Sequence, residues 1–101
     1  MITLNYNRRP VVRGIVFRIQ LLASKTPVPL NSLVFNGCGN VREYYENGLY
    51  KYTAGAFKAP RQSNKMFLNL ETQGFDDSFL VAFKDDRPVK VKDAMKALKG
   101  Y

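Results

Sequence analysis

The sequence contains no histidine and only one cysteine, Cys38, among its 101 residues. Without histidine the chain cannot form a Ser-His-Asp or Cys-His catalytic centre or a histidine-ligated zinc site. A single cysteine also excludes a disulfide within the chain. An enzyme built from this chain alone would depend on carboxylates, lysine, arginine and tyrosine, and we expect no metal, no other cofactor and no catalysis.

Long apolar runs are lacking as well. No segment approaches the roughly 18–20 apolar residues that cross a bilayer, and no secretory signal opens the chain, so we expect no transmembrane segment. Apolar residues nevertheless make up 46% of the sequence, with seven phenylalanines and six tyrosines. This composition supports a packed core, and the length fits one domain.

Positive charge is in excess and is unevenly distributed. Sixteen Lys and Arg residues face eight Asp and Glu residues, which gives a net charge of +8. Residues 1–25 hold five basic residues and no acid, residues 26–83 are balanced, and residues 84–101 hold six basic residues and three acids. A basic linker with a solvated terminal helix would explain this pattern, and so would attraction to a polyanion such as nucleic acid, a membrane surface or an acidic polysaccharide.

The first half of the chain divides into an extension and a strand. Residues 1–13 show no sustained hydrophobic period, and we interpret them as a linker or N-terminal extension before a domain at residues 14–101. From Ile15 to Leu22 the side chains alternate, which predicts a half-buried strand. Phe17 would then face the core, while Leu22, with Arg18 and Gln20, would face the other side.

The strongest local signal is a hairpin at residues 40–57. Asn47-Gly48 stands between two runs that favour strands, and this dipeptide is typical of a type I′ turn. The turn pairs Glu46 with Leu49 and sets the register of both strands. Alternation then predicts one face with Arg42, Tyr44, Glu46, Leu49, Lys51 and Thr53, and an opposite face with Val41, Glu43, Tyr45, Tyr50, Tyr52 and Ala54.

The remaining elements complete an α+β pattern. A short helical turn at residues 30–34 precedes the hairpin, and a helix begins near Pro60 after it. A strand at residues 79–83, a turn at Asp85-Asp86 and a last helix near Asp93 follow. The order predicts a four-stranded antiparallel sheet with helices on one face, a βαββαβ layout of the ferredoxin or RNP type. The predicted single core contains Phe17, Ile19, Leu21, Tyr52, Met66, Phe67, Leu70, Val81 and Phe83.

Two segments in this order resemble the paired signature of SPOR (sporulation-related repeat) domains. Phe17–Ser24 is similar to the family's first-strand pattern, which is hydrophobic-Gln-hydrophobic-small-Ser. Leu49–Phe57, which begins 25 residues after Ser24, is similar to the third-strand pattern Tyr-Arg-Val-x-x-Gly-x-Phe. Residues 23–27 and 81–85 look like the variant found in envelope proteins of the Bacteroidetes type. The resemblance spans about residues 14–98.

The resemblance implies a non-catalytic module that binds peptidoglycan. SPOR domains recognise glycan strands from which amidases have removed the stem peptides, usually at the division septum, so it implies a bacterial periplasmic or cell-envelope location. Other division or cell-wall proteins would be further partners. Gln20 and Ser24 match family positions, Lys51 replaces the usual Arg, and Leu49 stands where the family often has an aromatic residue.

The chemistry of the predicted outer face agrees with a glycan ligand. Amide and hydroxyl groups suit sugar hydroxyls and N-acetyl groups, and a tyrosine ring can cover a pyranose. A denuded strand carries one lactyl carboxylate on each muramic unit, which cationic side chains could bind. The predicted glycan-binding residues are therefore Arg18, Gln20, Ser24, Arg42, Tyr44, Leu49, Lys51 and Thr53.

Nucleic-acid binding and glycosidase activity are the two alternatives to this interpretation. Single-stranded RNA or other nucleic acid could bind the same sheet face, but the RNA-recognition motif's Lys/Arg-Gly-Phe/Tyr signature is absent and Leu49, Lys51 and Thr53 offer no stacking ring. A glycosidase needs two suitably placed carboxyl groups. Asp76-Asp77 and Asp85-Asp86 lie at predicted turns, where acids usually form caps and turns.

Overall fold

The computed structural model describes residues 13–35 and 37–99. Most of the predicted linker, residues 1–12, lies outside this part. The described chain forms five strands, two α-helices and two 3-10 helices. The strands are β1 (Ile15–Ser24), β2 (Arg42–Glu46), β3 (Leu49–Phe57), β4 (Phe79–Lys84) and β5 (Arg87–Val89); the α-helices are α1 (Asn64–Thr72) and α2 (Val91–Leu98); the 3-10 helices are Leu33–Phe35 and Pro60–Ser63.

The sheet has five strands in the order β2-β3-β1-β4-β5, and all neighbours are antiparallel. The prediction of a four-stranded βαββαβ sheet is therefore wrong, although the mixture of helices and strands agrees in part. The strand that the sequence did not reveal is β5. It has only three residues and contains Pro88, and a proline lowers the expectation of a strand except at an edge, which is where β5 lies.

Two tight turns shape the ends of the sheet. Asn47 and Gly48 have φ angles of 54° and 79°, and the β2–β3 register follows the predicted pairing from Glu46–Leu49 to Arg42–Thr53. Asp85 and Asp86 also have positive φ angles, 49° and 66°, and connect β4 to β5. The hairpin register is thus confirmed, and a second hairpin occupies the site of the predicted Asp-Asp turn.

A β-bulge interrupts the alternation of β1. Gln20 pairs with Thr53, but Leu22 pairs with Tyr52, so two steps along β1 match one step along β3. The extra residue turns Leu22 towards the helices, where it packs against the buried core. The predicted position of Leu22 beside Gln20 on the other face is therefore wrong.

The buried residues form two clusters on the helix-bearing face of the sheet. Leu70 of α1 belongs to the first cluster and Ala94 of α2 to the second, and Phe57 packs against both. The first cluster includes Ile19, Leu21 and Tyr52; the second consists of Phe17, Ala82 and Ala94.

Two residues of the predicted core lie on the opposite face, which we call the outer face. Val81 pairs with Arg18 and Phe83 with Val16, and residues that pair directly across two strands share a face. The β1–β4 register thus overturns their assignment to the helix-facing core, although Phe83 is itself buried, at 7% exposed, on the outer face. An apolar run such as 79–83 does not show which alternate side chains face the helices.

Candidate functional site

The outer face brings together side chains from four adjacent strands. Direct pairing aligns Arg42 with Thr53, Thr53 with Gln20, and Gln20 with Phe79. Tyr44 pairs with Lys51 in the next outward-facing row. Since paired residues share a face, most of the predicted glycan-binding residues lie on one continuous surface.

Arg18 and Thr53 form the buried base of this surface. Their residues are only 6% and 1% exposed. The Arg18 Nε donates a hydrogen bond to the Thr53 Oγ1 at 2.7 Å, and an Arg18 Nη2 donates to the Asn40 carbonyl oxygen at 3.2 Å. Both side chains are therefore largely buried beneath the outer face and are held there by hydrogen bonds within the domain.

Arg42 connects β2 to the turn between β4 and β5. Its Nη2 lies 3.4 Å from the Asp86 Oδ2, and both side chains are partly buried. Two strands separate β2 from β4 in the sheet order, so this contact crosses the outer face. The sheet is therefore curled, and one end of its outer face is closed by an ion pair.

Gln20, Tyr44 and Lys51 form a polar group at the open end. The Tyr44 hydroxyl donates a hydrogen bond to the Gln20 Oε1 at 3.1 Å. The Lys51 Nζ donates to the Glu46 Oε1 at 2.8 Å and lies 5.9 Å from the centre of the Tyr44 ring. The Tyr44 ring meets Phe83 edge-to-face at 5.2 Å, which fixes its orientation.

Burial raises the pKa of the Tyr44 hydroxyl further above neutral pH. Desolvation, with a smaller contribution from the negative charge of Glu46, raises the pKa of Tyr44 from 10.0 to about 12. At neutral pH the hydroxyl is protonated, as it would be at the ordinary tyrosine pKa, and it can donate the hydrogen bond to Gln20.

These side chains border a groove of about 490 Å³. The sheet contributes Gln20, Tyr44, Glu46 and Lys51, and the segment after β4 contributes Pro88, Val89 and Lys90. Phe79 also lines the groove, and its residue is 51% exposed. Seven of the twelve lining residues are apolar, among them Leu80, Val81, Ala82 and Val91, so the groove combines polar groups and two lysines with a large apolar surface. It can bind a chain that has both polar and apolar faces.

Phe79 and Lys90 are groove residues that the sequence analysis did not identify. Phe79 begins an apolar strand whose sequence does not show which side chains face the helices, but its separation of two residues from Val81 and four from Phe83 places all three on one face. Lys90 had been counted only as part of the basic C-terminal segment. Its position in the groove depends on β5, which the sequence did not reveal.

Five of the eight predicted glycan-binding residues do not line the groove. Three of them, Arg18, Arg42 and Thr53, lie elsewhere on the outer face, and the other two are Ser24 and Leu49. Ser24 pairs with Tyr50 while Ala23 pairs with Lys51, so the bulge in β1 places Ser24 on the face opposite Lys51. Its hydroxyl accepts a hydrogen bond from the Thr26 amide at 3.2 Å. Leu49 pairs with Glu46 at the hairpin end and is partly buried, but it does not line the groove.

Three further features of the described residues concern metal binding, membrane-spanning helices and the single cysteine. No group of three or more Cys, Asp or Glu side chains that could hold a metal occurs among them. None of the helices in the described ranges is long and apolar enough to cross a membrane. Cys38 is buried, its Sγ lies 3.7 Å from the Gln73 Oε1, and burial raises the pKa of the thiol.

Comparisons of the chain with protein families, with curated proteins and with solved structures found no match. Evidence about function therefore comes from the sequence pattern and from the geometry of the outer face.

Proposed function

We propose that this chain is a non-catalytic module that binds peptidoglycan glycan strands lacking stem peptides. The observation that carries the proposal is the groove on the outer face. Its lining includes Gln20, Lys51 and the exposed residue Phe79. An aromatic ring can stack on the apolar face of a pyranose while polar groups bind its substituents.

The positive charge of the groove supports an anionic glycan. Lys51 and Lys90 both line it, and Glu46 is the only carboxylate among its described lining residues. Because the Glu46 carboxylate is paired with Lys51 at 2.8 Å, its negative charge is largely neutralised. The free lactyl carboxylate of each muramic unit in a denuded strand would find one cation here that is unpaired among the described residues, Lys90, and would share Lys51 with Glu46.

The same residues support a binding role over catalysis. Hydrolysis of a glycosidic bond by the usual mechanism needs two carboxyl groups on either side of the bond. Among the described residues that line the groove, only Glu46 has a carboxyl group, and its Oε1 already accepts a hydrogen bond from Lys51. A binding module would direct its parent protein to the bacterial cell wall, and denuded strands at the division septum are the target that the SPOR resemblance implies.

Co-sedimentation with purified sacculi tests the proposal. We expect more of the protein to sediment with amidase-treated sacculi than with intact sacculi, because removal of the peptides exposes the carboxylates. The Lys51→Ala variant is expected to bind about tenfold or more weakly, as for loss of a hydrogen bond to a charged group. The Lys58→Ala variant removes the same charge from an exposed residue that does not line the groove, and it is the matched control.

Three results would contradict the proposal. The first is equal sedimentation with intact and treated sacculi. The second is equal weakening by Lys51→Ala and Lys58→Ala, which would indicate attraction to net charge alone. The third is tight binding to poly-U in place of denuded sacculi, which would favour nucleic acid as the ligand.

A further inference from the structure

One end of the helix-bearing face carries a cluster of positive charge. Ile15, the first residue of β1, pairs with Lys84 at the end of β4, and Lys84 pairs with Arg87 at the start of β5. Paired residues share a face, and Ile15 packs against the buried cluster that contains Ala94 of α2. Lys84 and Arg87 therefore lie on the face that α2 covers, and they line a pocket together with Arg13.

The last turn of α2 lies at the same end of the molecule. Phe57, the last residue of β3, pairs with Phe17 near the start of β1, so the segment after β3 leaves the sheet at this end. That segment and α2 together form a groove of about 410 Å³, which is lined by Ala59, Pro60, Arg61, Met95, Leu98 and Lys99. Four of these six residues are apolar, and both of the charged ones are cations.

The apolar side of α2 is only partly covered by the rest of the domain. Ala94 is buried, but Met95 and Leu98 are 42% and 49% exposed. Lys92 precedes Met95 by three residues and Lys99 follows it by four, so both lie beside it on the helix surface. An exposed apolar patch with a polar rim is typical of an interaction site, and the rim here is positively charged.

The cations at this end are available to a partner. We define the basic end as five exposed residues, Arg13, Arg61, Lys84, Arg87 and Lys99. Within the described ranges, no ion pair or hydrogen bond involves their side chains. The nearby acids are engaged, because the Asp85 Oδ1 accepts a hydrogen bond from the Gly14 amide at 2.7 Å and Asp86 forms its ion pair with Arg42.

We propose that the basic end, with the exposed side chains of Met95 and Leu98, docks on the surface of an anionic lipid membrane. The cations attract the headgroups, and the two aliphatic side chains enter the boundary between headgroups and acyl chains. This surface shares no residue with the groove on the outer face, so the inference does not depend on the proposed function.

Three other occupants fit this surface less well. A second copy of the chain would bring five cations against five, which is unfavourable. Nucleic acid would gain nothing from Met95 and Leu98, and none of the described residues that line the two pockets offers an aromatic ring for stacking. An acidic peptide in the α2 groove would leave Arg13, Lys84 and Arg87 unused, whereas a membrane is an extended anionic surface that can contact both pockets at once.

Co-sedimentation with lipid vesicles tests the inference. One set of vesicles contains phosphatidylcholine alone, and the other contains equal parts of phosphatidylcholine and phosphatidylglycerol. We expect the protein to sediment with the mixed vesicles and to stay in solution with phosphatidylcholine alone. Raising the salt concentration is expected to weaken the binding, because the attraction between exposed charges is screened.

Two lysine variants separate the basic end from net charge. Lys84→Gln is expected to weaken binding to the mixed vesicles about fivefold, the usual contribution of one cation at an anionic membrane. Lys25→Gln is the matched control, because Lys25 is also exposed but follows Ser24 at the far end of β1. The ten residues of β1 span roughly 30 Å, which exceeds the Debye length of about 8 Å at physiological salt. We therefore expect Lys25→Gln to bind like the wild type.

Two leucine variants test the apolar part of the surface without changing the charge. Leu98→Gln is expected to weaken binding about threefold to tenfold, since less apolar surface enters the membrane. Leu33 is the control, because it is 87% exposed and lines neither pocket, and Leu33→Gln is expected to bind like the wild type. Thermal melts establish that each variant remains folded.

Several results would overturn the inference. These are equal sedimentation with the two kinds of vesicle, equal weakening by Lys84→Gln and Lys25→Gln, and unchanged binding in Leu98→Gln. Binding to poly-U or to polyglutamate without binding to the mixed vesicles would assign the surface to nucleic acid or to an acidic polypeptide. Lys84→Gln is expected to sediment with amidase-treated sacculi like the wild type, so failure of the vesicle test leaves the proposed function standing.

Discussion

At the scale of single residues, groove lining separates the polar side chains of the outer face into two groups, whereas burial does not, because Arg18, Gln20 and Thr53 are 6%, 8% and 1% exposed. Alternation along a strand predicts which face a side chain takes, and it placed Arg18, Gln20 and Thr53 together correctly. It does not predict how deeply each lies. Arg18 and Thr53 hydrogen bond to one another beneath the surface, whereas Gln20 lines the groove. A sequence pattern therefore identified the face but not the subset that can touch a ligand.

The first group is expected to affect stability. Thr53→Val keeps the shape of the side chain but removes the acceptor of the hydrogen bond from the buried Arg18 Nε. We expect the free energy of unfolding to fall by about 1–3 kcal/mol, the cost of an unsatisfied buried polar group. Urea denaturation measures this change. The exposed Thr26 provides the control, and Thr26→Val is expected to change stability by less than about 0.5 kcal/mol. Equal stability of the two variants would show that Arg18 does not depend on Thr53.

At the scale of elements, a turn with its own sequence signal could be predicted, whereas irregular pairing between strands could not. Asn47-Gly48 specifies its turn through backbone conformation alone, so the β2–β3 register could be predicted residue by residue. The bulge in β1 has no comparable signal, because it depends on how β1 meets β3, and it moved Leu22 and Ser24 to the other face. The short edge strand β5 was missed although its preceding turn at Asp85-Asp86 was predicted, because β5 has only three residues and contains Pro88.

Gly55 lies at the second register shift between β1 and β3, and its substitution gives a test at this scale. The register shifts between Phe17–Phe57 and Ile19–Ala54, and Gly55 lies in the shifted segment with a φ angle of 79°. A Cβ atom there would lie 2.5 Å from the Phe57 ring, and that ring packs against both buried clusters. We therefore expect Gly55→Ala to destabilise the domain by more than the roughly 1 kcal/mol typical of left-handed backbone strain.

Gly48 supplies the matched control for this prediction. It has the same φ angle of 79°, but a Cβ atom there would have no neighbour within 4 Å. Gly48→Ala therefore carries the backbone strain without the clash, and its Tm is expected to lie above that of Gly55→Ala. If the Tm of Gly48→Ala is equal to or lower than the Tm of Gly55→Ala, the close approach of Phe57 does not constrain the backbone at Gly55.

At the scale of the whole molecule, the distribution of charge is partly explained by the fold. The net charge of +8 was known from composition, but its position relative to a ligand was not. The β4–β5 hairpin and the residue after it bring Lys84, Arg87 and Lys90 to one edge of the sheet, and Lys90 reaches the groove. The basic residues Arg8 and Arg9 lie outside the described residues. The basic C-terminal segment therefore belongs in part to the candidate site.

The central claim is that the groove on the outer face binds denuded glycan, and mapping the contact surface tests it most directly. Soluble denuded glycan fragments, prepared by amidase and muramidase digestion, would be titrated into the ¹⁵N-labelled protein. We predict that the largest backbone amide shifts occur at Gln20, Tyr44, Lys51, Phe79 and Lys90, with little change along α1. Shifts centred on the exposed side chains of the helices, such as Leu68 and Met95, would contradict the account.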